Sequence, residues 1–344
     1  MTSKIIVVTE FPGKTDLVYK KLLSGETGKI FWDLVDEVGI DRNSLEVLSV
    51  LPIRPASGKI EDFCLNKKEA TEEAQKFGYS SYPRNYFKTG KYLHPRYLSH
   101  VEALLSSIKE KKPNLVLCLG SFAMWAVMDT SKLTAHRGTA SESPLIPGQK
   151  VIPTYHPVTI IRDWSQRVIA GADLMKAKRE AEFPEIIRPK RRVLVPETRE
   201  DLDRIREILN EQSRLTLDIE TKNSQITCVG FGISPELSVC IPITDSRKPD
   251  WNYWSLLDEL HAVKLIKDIC ENPSIEKGLQ NGVYDIQYLW WTWGIKTFGF
   301  REDSMILSHS LYSELPKSLG FLGSVYTNEA SWKLMRKFEE KEVK

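Results

Sequence analysis

Apolar residues gather into short unbroken runs along the first half of the chain. Lys4-Ile-Ile-Val-Val-Thr-Glu10, Leu45-Glu-Val-Leu-Ser-Val-Leu51, Asn114-Leu-Val-Leu-Cys-Leu-Gly120 and Lys150-Val-Ile-Pro-Thr-Tyr155 each have the length of a strand, and helical stretches separate them. Strands interleaved with helices predict an open, mainly parallel sheet in an α/β domain, with function in the loops beyond the strands' carboxyl ends. The pattern changes in the second half. Leu215-Thr-Leu-Asp-Ile-Glu-Thr-Lys222 alternates, and because side chains at i and i+2 of a strand point the same way, Asp218 and Glu220 share a face. Between the halves, Phe183-Pro-Glu-Ile-Ile-Arg-Pro-Lys-Arg-Arg-Val193 has two prolines, a basic cluster and no helical period. It reads as an extended linker over 184–193, with one domain over 1–183 and a second over 194–344.

Composition narrows the class. At 344 residues and 41% hydrophobic, the chain is long enough for two domains with real cores. A net charge of +2 leaves any nucleic-acid affinity to local patches such as Lys190, Arg191 and Arg192. Cys64, Cys118, Cys228, Cys240 and Cys270 are scattered without a Cys-x-x-Cys pair and read as reduced thiols. The start, Met1-Thr-Ser-Lys-Ile, has no signal-peptide pattern and no run reaches transmembrane length. The expectation is a cytoplasmic protein that uses no membrane.

Two carboxylates held together on an apolar strand repel unless protons or a divalent cation neutralise them, which makes Asp218 and Glu220 a candidate metal site. Asn281 and Asp285 stand four apart in Gly278-Leu-Gln-Asn-Gly-Val-Tyr-Asp-Ile-Gln-Tyr-Leu289, on one face of a helix that would bring a third carboxylate to the first two. Asp-Ile-Glu-Thr, then Asn-x-x-x-Asp, then Phe300-Arg-Glu-Asp-Ser-Met-Ile-Leu-Ser-His-Ser-Leu311 resembles the first two motifs and following helix of the proofreading 3′-to-5′ exonuclease domain of family A DNA polymerases. Leu315-Pro-Lys-Ser-Leu-Gly-Phe-Leu322 resembles the next segment of phage-type members. The resemblance implies a ribonuclease-H-like domain with a mixed sheet and a two-ion Mg²⁺ or Mn²⁺ site. Asp218 would bridge both ions, Glu220 would orient the attacking water, and Asp285 would hold the second ion. Asn281 and Tyr284 would support the DNA strand or the helix. The family's fourth carboxylate, in a later Tyr-x-x-x-Asp helix, has no counterpart: no aspartate follows Asp303, and Glu339, Glu340 or Glu342 could substitute for it. The chain therefore reads as the amino-terminal part of a longer polymerase, ending before the third motif.

A second resemblance covers the first half. Thr9-Glu-Phe-Pro-Gly13, Ser24-Gly-Glu-Thr-Gly28, Ser49-Val-Leu-Pro-Ile-Arg-Pro55, Lys112-Pro-Asn-Leu-Val-Leu-Cys-Leu-Gly120 and His156-Pro-Val-Thr-Ile-Ile-Arg162 resemble, in order, motifs of the family-four uracil-DNA glycosylases. The resemblance implies a pocket of Glu10, Gly13, Ser49, His156 and Arg162. His156 would donate to a departing uracil anion, and Glu10 would position water or stabilise the sugar cation. Ser49 stands where the family reads uracil with an asparagine, Leu23 stands where an aromatic stacks, and the iron-sulfur cysteines are absent, so no cluster is expected.

Between Lys76 and Tyr97 lie five basic residues, seven aromatics and no acid. Cations interleaved with rings suit a single-strand surface through Lys88, Lys91 and Arg96, or an ordinary tyrosine-rich loop folded onto the domain. Trp251, Trp254, Trp290, Trp291 and Trp293 have apolar, helical surroundings that favour core packing over base stacking. The reading is thus the amino-terminal portion of a phage-type DNA polymerase, acting in a host cytoplasm. Its partners would be a single-stranded 3′ end, template or primer strand, and the remaining polymerase domain or replication proteins. The alternatives are a non-catalytic DNA-binding module and an active uracil-DNA glycosylase with a vestigial nuclease.

Overall fold

A computed structural model describes residues 4–88, 90–187 and 190–327. The chain divides into two compact units, Met1–Ile187 with Gly320–Lys344, and Arg188–Leu319.

Among its described residues the first unit has seven strands: β1 Ile5–Thr9, β2 Leu45–Ser49, β3 Cys64–Leu65, β4 Tyr92–Leu93, β5 Leu115–Leu119, β6 Ser141–Glu142 and β7 Lys150–Thr154. Five of them form one sheet in the order β2-β1-β5-β7-β6, parallel except where β6 meets β7. All four apolar runs of the first half become its parallel strands, and β1, β5 and β7 are buried along their whole length. Alternation on those strands feeds two cores. Ile6, Val8, Val116 and Cys118 pack on one face with Leu98, Val101 and Trp125, while Ile5, Val7, Leu115 and Leu117 pack on the other with Phe31, Leu34 and Leu174. Helices on both faces and crossovers between parallel strands make this a doubly wound α/β unit, as the sequence pattern predicts.

The second unit contains β8 Arg192–Leu194, β9 Arg214–Lys222, β10 Gln225–Gly232, β11 Leu237–Pro242, β12 Glu276–Leu279 and β13 Phe300–Asp303. They form one mixed sheet, ordered β13-β12-β9-β10-β11-β8. The central hairpins β9-β10-β11 are antiparallel, while β12 runs parallel to β9 and β13. Leu215, Leu217 and Ile219 enter the core with Val229, Phe231 and Leu289. Among the described residues no helix is long and apolar enough to cross a membrane.

The core-packing expectation for the tryptophans holds for Trp254, 7% exposed, and Trp293 packs at the edge of the core. It fails for Trp251, Trp290 and Trp291, which are 40%, 50% and 71% exposed. Helix Val283–Trp293 turns Asp285 and Leu289 inward, four residues apart, so positions 290 and 291 fall outside that buried stripe. The aromatics of segment 76–97 divide, with Phe77 and Tyr86 exposed at 51% and 43%. Phe87 is buried, Tyr79, Tyr82 and Tyr97 pack on the core, and Tyr82 donates to Leu93 O at 2.7 Å.

Candidate functional sites

In the first unit the chemistry gathers beyond the carboxyl ends of β1, β5 and β7. Gly120, directly after β5, takes φ +92°, and a Cβ there would lie 3.0 Å from Glu10 Oε1 and 3.1 Å from the His156 Cβ. A glycine is therefore what lets these two side chains close on one point. Glu10 accepts the Phe122 N–H at the start of helix Ser121–Met128; burial pushes its carboxyl up to about 7, against that hydrogen bond and with a smaller push from Glu61. His156 caps helix Pro157–Arg162, its Nδ1 accepting the Val158 N–H at 3.2 Å. Burial lowers the ring to about 4, with the Asp16 charge opposing, so it is neutral at pH 7. With Nδ1 occupied as an acceptor, the remaining ring proton belongs on Nε2, which faces Thr9 Oγ1 at 3.3 Å. A neutral donor and a carboxyl half-ionised near neutrality thus share one half-buried corner.

The other residues expected of this pocket divide. Gly13 precedes helix Lys14–Tyr19 and donates to Asp16 Oδ2 at 2.9 Å, while Ser24 N and Oγ donate to Asp16 Oδ1 at 2.8 and 2.9 Å. Burial alone would raise Asp16, but these donors hold it below the usual carboxylate range. Asp16, which belongs to neither motif, therefore pins together the loops that carry Gly13 and Ser24. Ser49 ends β2 in register with Thr9, but lines a cleft of about 320 Å³ with Leu22, Pro52 and His100 whose lining includes neither Glu10 nor His156. Arg162 is exposed at the opposite end of the helix that His156 caps. Leu23, at the family's stacking position, is 5% exposed with φ +55°. Lys88 pairs with Glu61 at 3.1 Å, Lys91 bridges back to Lys88 through the backbone, and the Arg96 guanidinium lies over Tyr97.

In the second unit Asp218 and Glu220 occupy the exposed face of β9, as alternation requires. Asp285, 4% exposed in the first turn of helix Val283–Trp293, accepts the Ile219 N–H through Oδ1 at 2.9 Å, between the two acids. Burial pushes Asp285 up to about 6, the Ile219 N–H opposing and the Asp218 charge adding; burial and then Glu220 raise Asp218. Asn281 sits at φ +59° with its N–H on Asp303 Oδ1 at 3.0 Å, and the Tyr284 hydroxyl meets Thr221 Oγ1 at 2.7 Å. Asp303 is the organising residue that motif reading missed. Its carboxylate accepts the N–H groups of Asn281, Gly282 and Met305 at 2.8 to 3.0 Å, joining the loop before one helix to the start of the next. Burial would raise it, yet those N–H groups hold it low.

As a donor set, Asp218, Glu220 and Asp285 offer hard oxygens with the mutual repulsion that a divalent cation relieves. They form no preformed cage: among the described residues no three His, Cys, Asp or Glu side chains stand together to hold a metal ion. Glu339, Glu340 and Glu342 lie outside the described residues.

Among solved structures, RNase D of Trypanosoma brucei in complex with GMP is 16% identical, covering 44% of this chain and 46% of that one with a TM-score of 0.34. Escherichia coli RNase D, an exoribonuclease involved in structured RNA processing, is also 16% identical, covering 41% and 34% at a TM-score of 0.31. The chain spans less than half the length of either. In sequence, the type-4 uracil-DNA glycosylase of Thermotoga maritima is 24% identical over 180 residues, 52% of this chain and 78% of the relative. That of Archaeoglobus fulgidus is 21% identical over 165 residues, 46% and 67%. The Uracil DNA glycosylase superfamily model matches residues 1–188, more than half of the chain and the whole of the sheet that brings Glu10 to His156, so the chain belongs to the uracil-DNA glycosylase superfamily.

Proposed function

We propose that the chain is the DNA-engaging amino-terminal part of a family A DNA polymerase, with a second unit that trims single-stranded DNA from its 3′ end and a first unit that grips DNA as a glycosylase-type module. The observation that carries the trimming reading is the approach of Asp285 to the Asp218–Glu220 face through the Ile219 N–H. Asp218, Glu220 and Asp285 are the residues that would hold Mg²⁺ or Mn²⁺. When bound, the cation supplies Lewis-acid polarisation of the scissile phosphate and acidifies the attacking water. The chain's own contribution is placement. Asp303 fixes the loop that carries Asn281, Tyr284 is tied to the end of β9 through Thr221, and Glu220 stands on the exposed face where water has access. The order of the two units and the run of motifs from Asp218 to Leu311 support the polymerase context, in which a polymerase domain or other replication proteins are the partners.

A second reading, base excision by the first unit, is favoured by the Glu10–Gly120–His156 corner. Neutral His156 would donate from Nε2 to a departing base anion, while Glu10, ionised above about pH 7, would face the sugar cation or its water. With a serine rather than an asparagine at position 49, uracil would lack the amide that reads its edge.

The test is degradation of a single-stranded oligonucleotide carrying a 3′ label, with Mg²⁺ or Mn²⁺, by the wild-type chain and by Asp218→Ala. Label loss that needs both metal and Asp218 supports trimming; a folded chain that binds the strand without shortening it overturns it. Abasic-site formation on uracil-containing DNA, abolished by His156→Ala, would instead establish excision.

A further inference from the structure

β9 ends at Lys222, two residues past Glu220, and the Lys222 ammonium lies 5.0 Å from the centroid of the Trp251 ring. Trp251 is 40% exposed and holds φ +60°, a region that a bulky L-residue enters only when its surroundings enforce it. Those surroundings are a built loop. The Trp251 N–H donates to Lys248 O at 3.1 Å, and the Trp251 carbonyl accepts the Asp245 N–H at 2.9 Å. Asp245 in turn accepts the Arg247 backbone N–H and both arms of its guanidinium at 2.8 to 3.1 Å. The Arg247 side chain is still 84% exposed. Residues 245–251 thus hold an indole at the surface, against the Lys222 ammonium, in a loop that also carries the exposed Arg247. Another hydrogen bond at the same strand end holds a second exposed ring, Tyr284, 45% exposed, to Thr221.

An exposed ring with a cation over it and another in the same loop is the combination that takes an unpaired base and its phosphate together. A protein partner would be matched by an apolar surround, whereas here Lys222 lies over the indole and the loop that carries it also carries the cations Arg247 and Lys248. We propose that Trp251 and Lys222 form a nucleotide subsite for single-stranded DNA, the base stacking on the open face of Trp251 and Lys222 and Arg247 contacting the adjoining phosphates. The subsite rests on the trimming reading for the course of the strand past Glu220.

The experiment is photocrosslinking of the full chain to a single-stranded oligonucleotide containing 5-bromodeoxyuridine, in EDTA, with the adduct mapped by mass spectrometry and affinity measured by fluorescence anisotropy. An adduct on the peptide containing Trp251 is expected. Trp251→Ala should weaken binding about 10-fold and Trp251→Phe should retain most of it, while Lys222→Ala should lower the salt slope by about one. Adducts confined to other peptides, with Trp251→Ala binding within about twofold of wild type, would overturn the subsite. Should Trp251→Ala fail to fold, the wild-type adduct map and Trp251→Phe decide. Because EDTA binding does not depend on cleavage, an adduct at Trp251 without metal-dependent trimming leaves the subsite standing and removes the trimming reading. Trimming without the adduct does the reverse.

Discussion

Asp285 reaches the backbone of Ile219, and the 2.9 Å hydrogen bond from that N–H fixes a buried carboxyl against the strand residue that separates Asp218 from Glu220 while leaving its second oxygen uncommitted to Ile219. The amide of asparagine can accept the same N–H through its oxygen but carries no charge. Asp285→Asn should therefore keep the fold and lower metal-dependent trimming by about 100-fold. The same variant should alter pH dependence in EDTA. Asp285 has a folded value raised from 3.8 to about 6, so the native state binds its proton more tightly, and wild-type stability falls as pH rises through that window. Thermal unfolding of the variant should lose that slope, and an unchanged slope would mean that Asp285 is not the group responsible.

Glu10 obeys the same sign at higher pH. Its carboxyl is raised from 4.5 to about 7, so its contribution favours the native state below 4.5 and is lost as pH rises to 7. The difference, roughly 3 kcal/mol at most, should disappear in Glu10→Gln, measured as unfolding free energy between pH 5 and 8. Any excision activity should instead rise through pH 7 as the carboxylate forms, and a flat profile would remove Glu10 from that chemistry.

The first unit also depends on a buried ion network that touches no candidate site. Arg137 pairs with Asp173 at 2.6 Å, both at 1% exposure or less, and Asp173 Oδ2 accepts the Thr154 hydroxyl at 2.8 Å. Arg137 also donates to Ser324 Oγ at 2.7 Å, and Lys176 donates to Gly138 O at 3.1 Å, which ties helix Leu319–Tyr326 to this core. Asp173→Ala leaves a buried guanidinium without its anion and should destabilise the unit by about 3–5 kcal/mol. Urea unfolding followed by near-ultraviolet circular dichroism would measure it, and a loss under about 1 kcal/mol would show that the network relaxes or hydrates.

These cases mark what the sequence pattern could and could not disclose. The parallel strands β1, β2, β5 and β7 were legible because each is an apolar run with turn or helix residues at both ends. The Asp218–Glu220 face was legible because a strand's period of two is unambiguous. Asp303 was not, since its role depends on N–H groups some twenty residues earlier in the chain. Nor was Gly120, whose need for φ +92° arises only when β1 and β7 flank β5. Asp173, Lys176 and Glu180 are buried on helix Gln166–Glu180, where polarity alone would have turned them to solvent. Trp290 and Trp291 failed the other way, because apolar neighbours in sequence do not specify which helical face meets the sheet.

The thiols separate by environment in a way that chemistry can read directly. Burial pushes Cys64 up to about 11 and Cys270 up to about 12, and it raises Cys118 as well. Cys228 and Cys240, on the adjacent strands β10 and β11, differ from these because their side chains hydrogen-bond to each other. The bond lowers Cys240 to about 7 and raises Cys228, which becomes the donor to the Cys240 thiolate. Since the thiolate is the nucleophile, Cys240 should be the first cysteine alkylated by iodoacetamide at pH 7 in the folded protein. Removing the donor with Cys228→Ala should move Cys240 back toward its ordinary value of 9.0 and slow its alkylation at pH 7. Peptide mapping after a short pulse would measure both effects. Equal labelling of Cys240 in wild type and variant would mean that the Cys228 thiol does not hold the Cys240 thiolate.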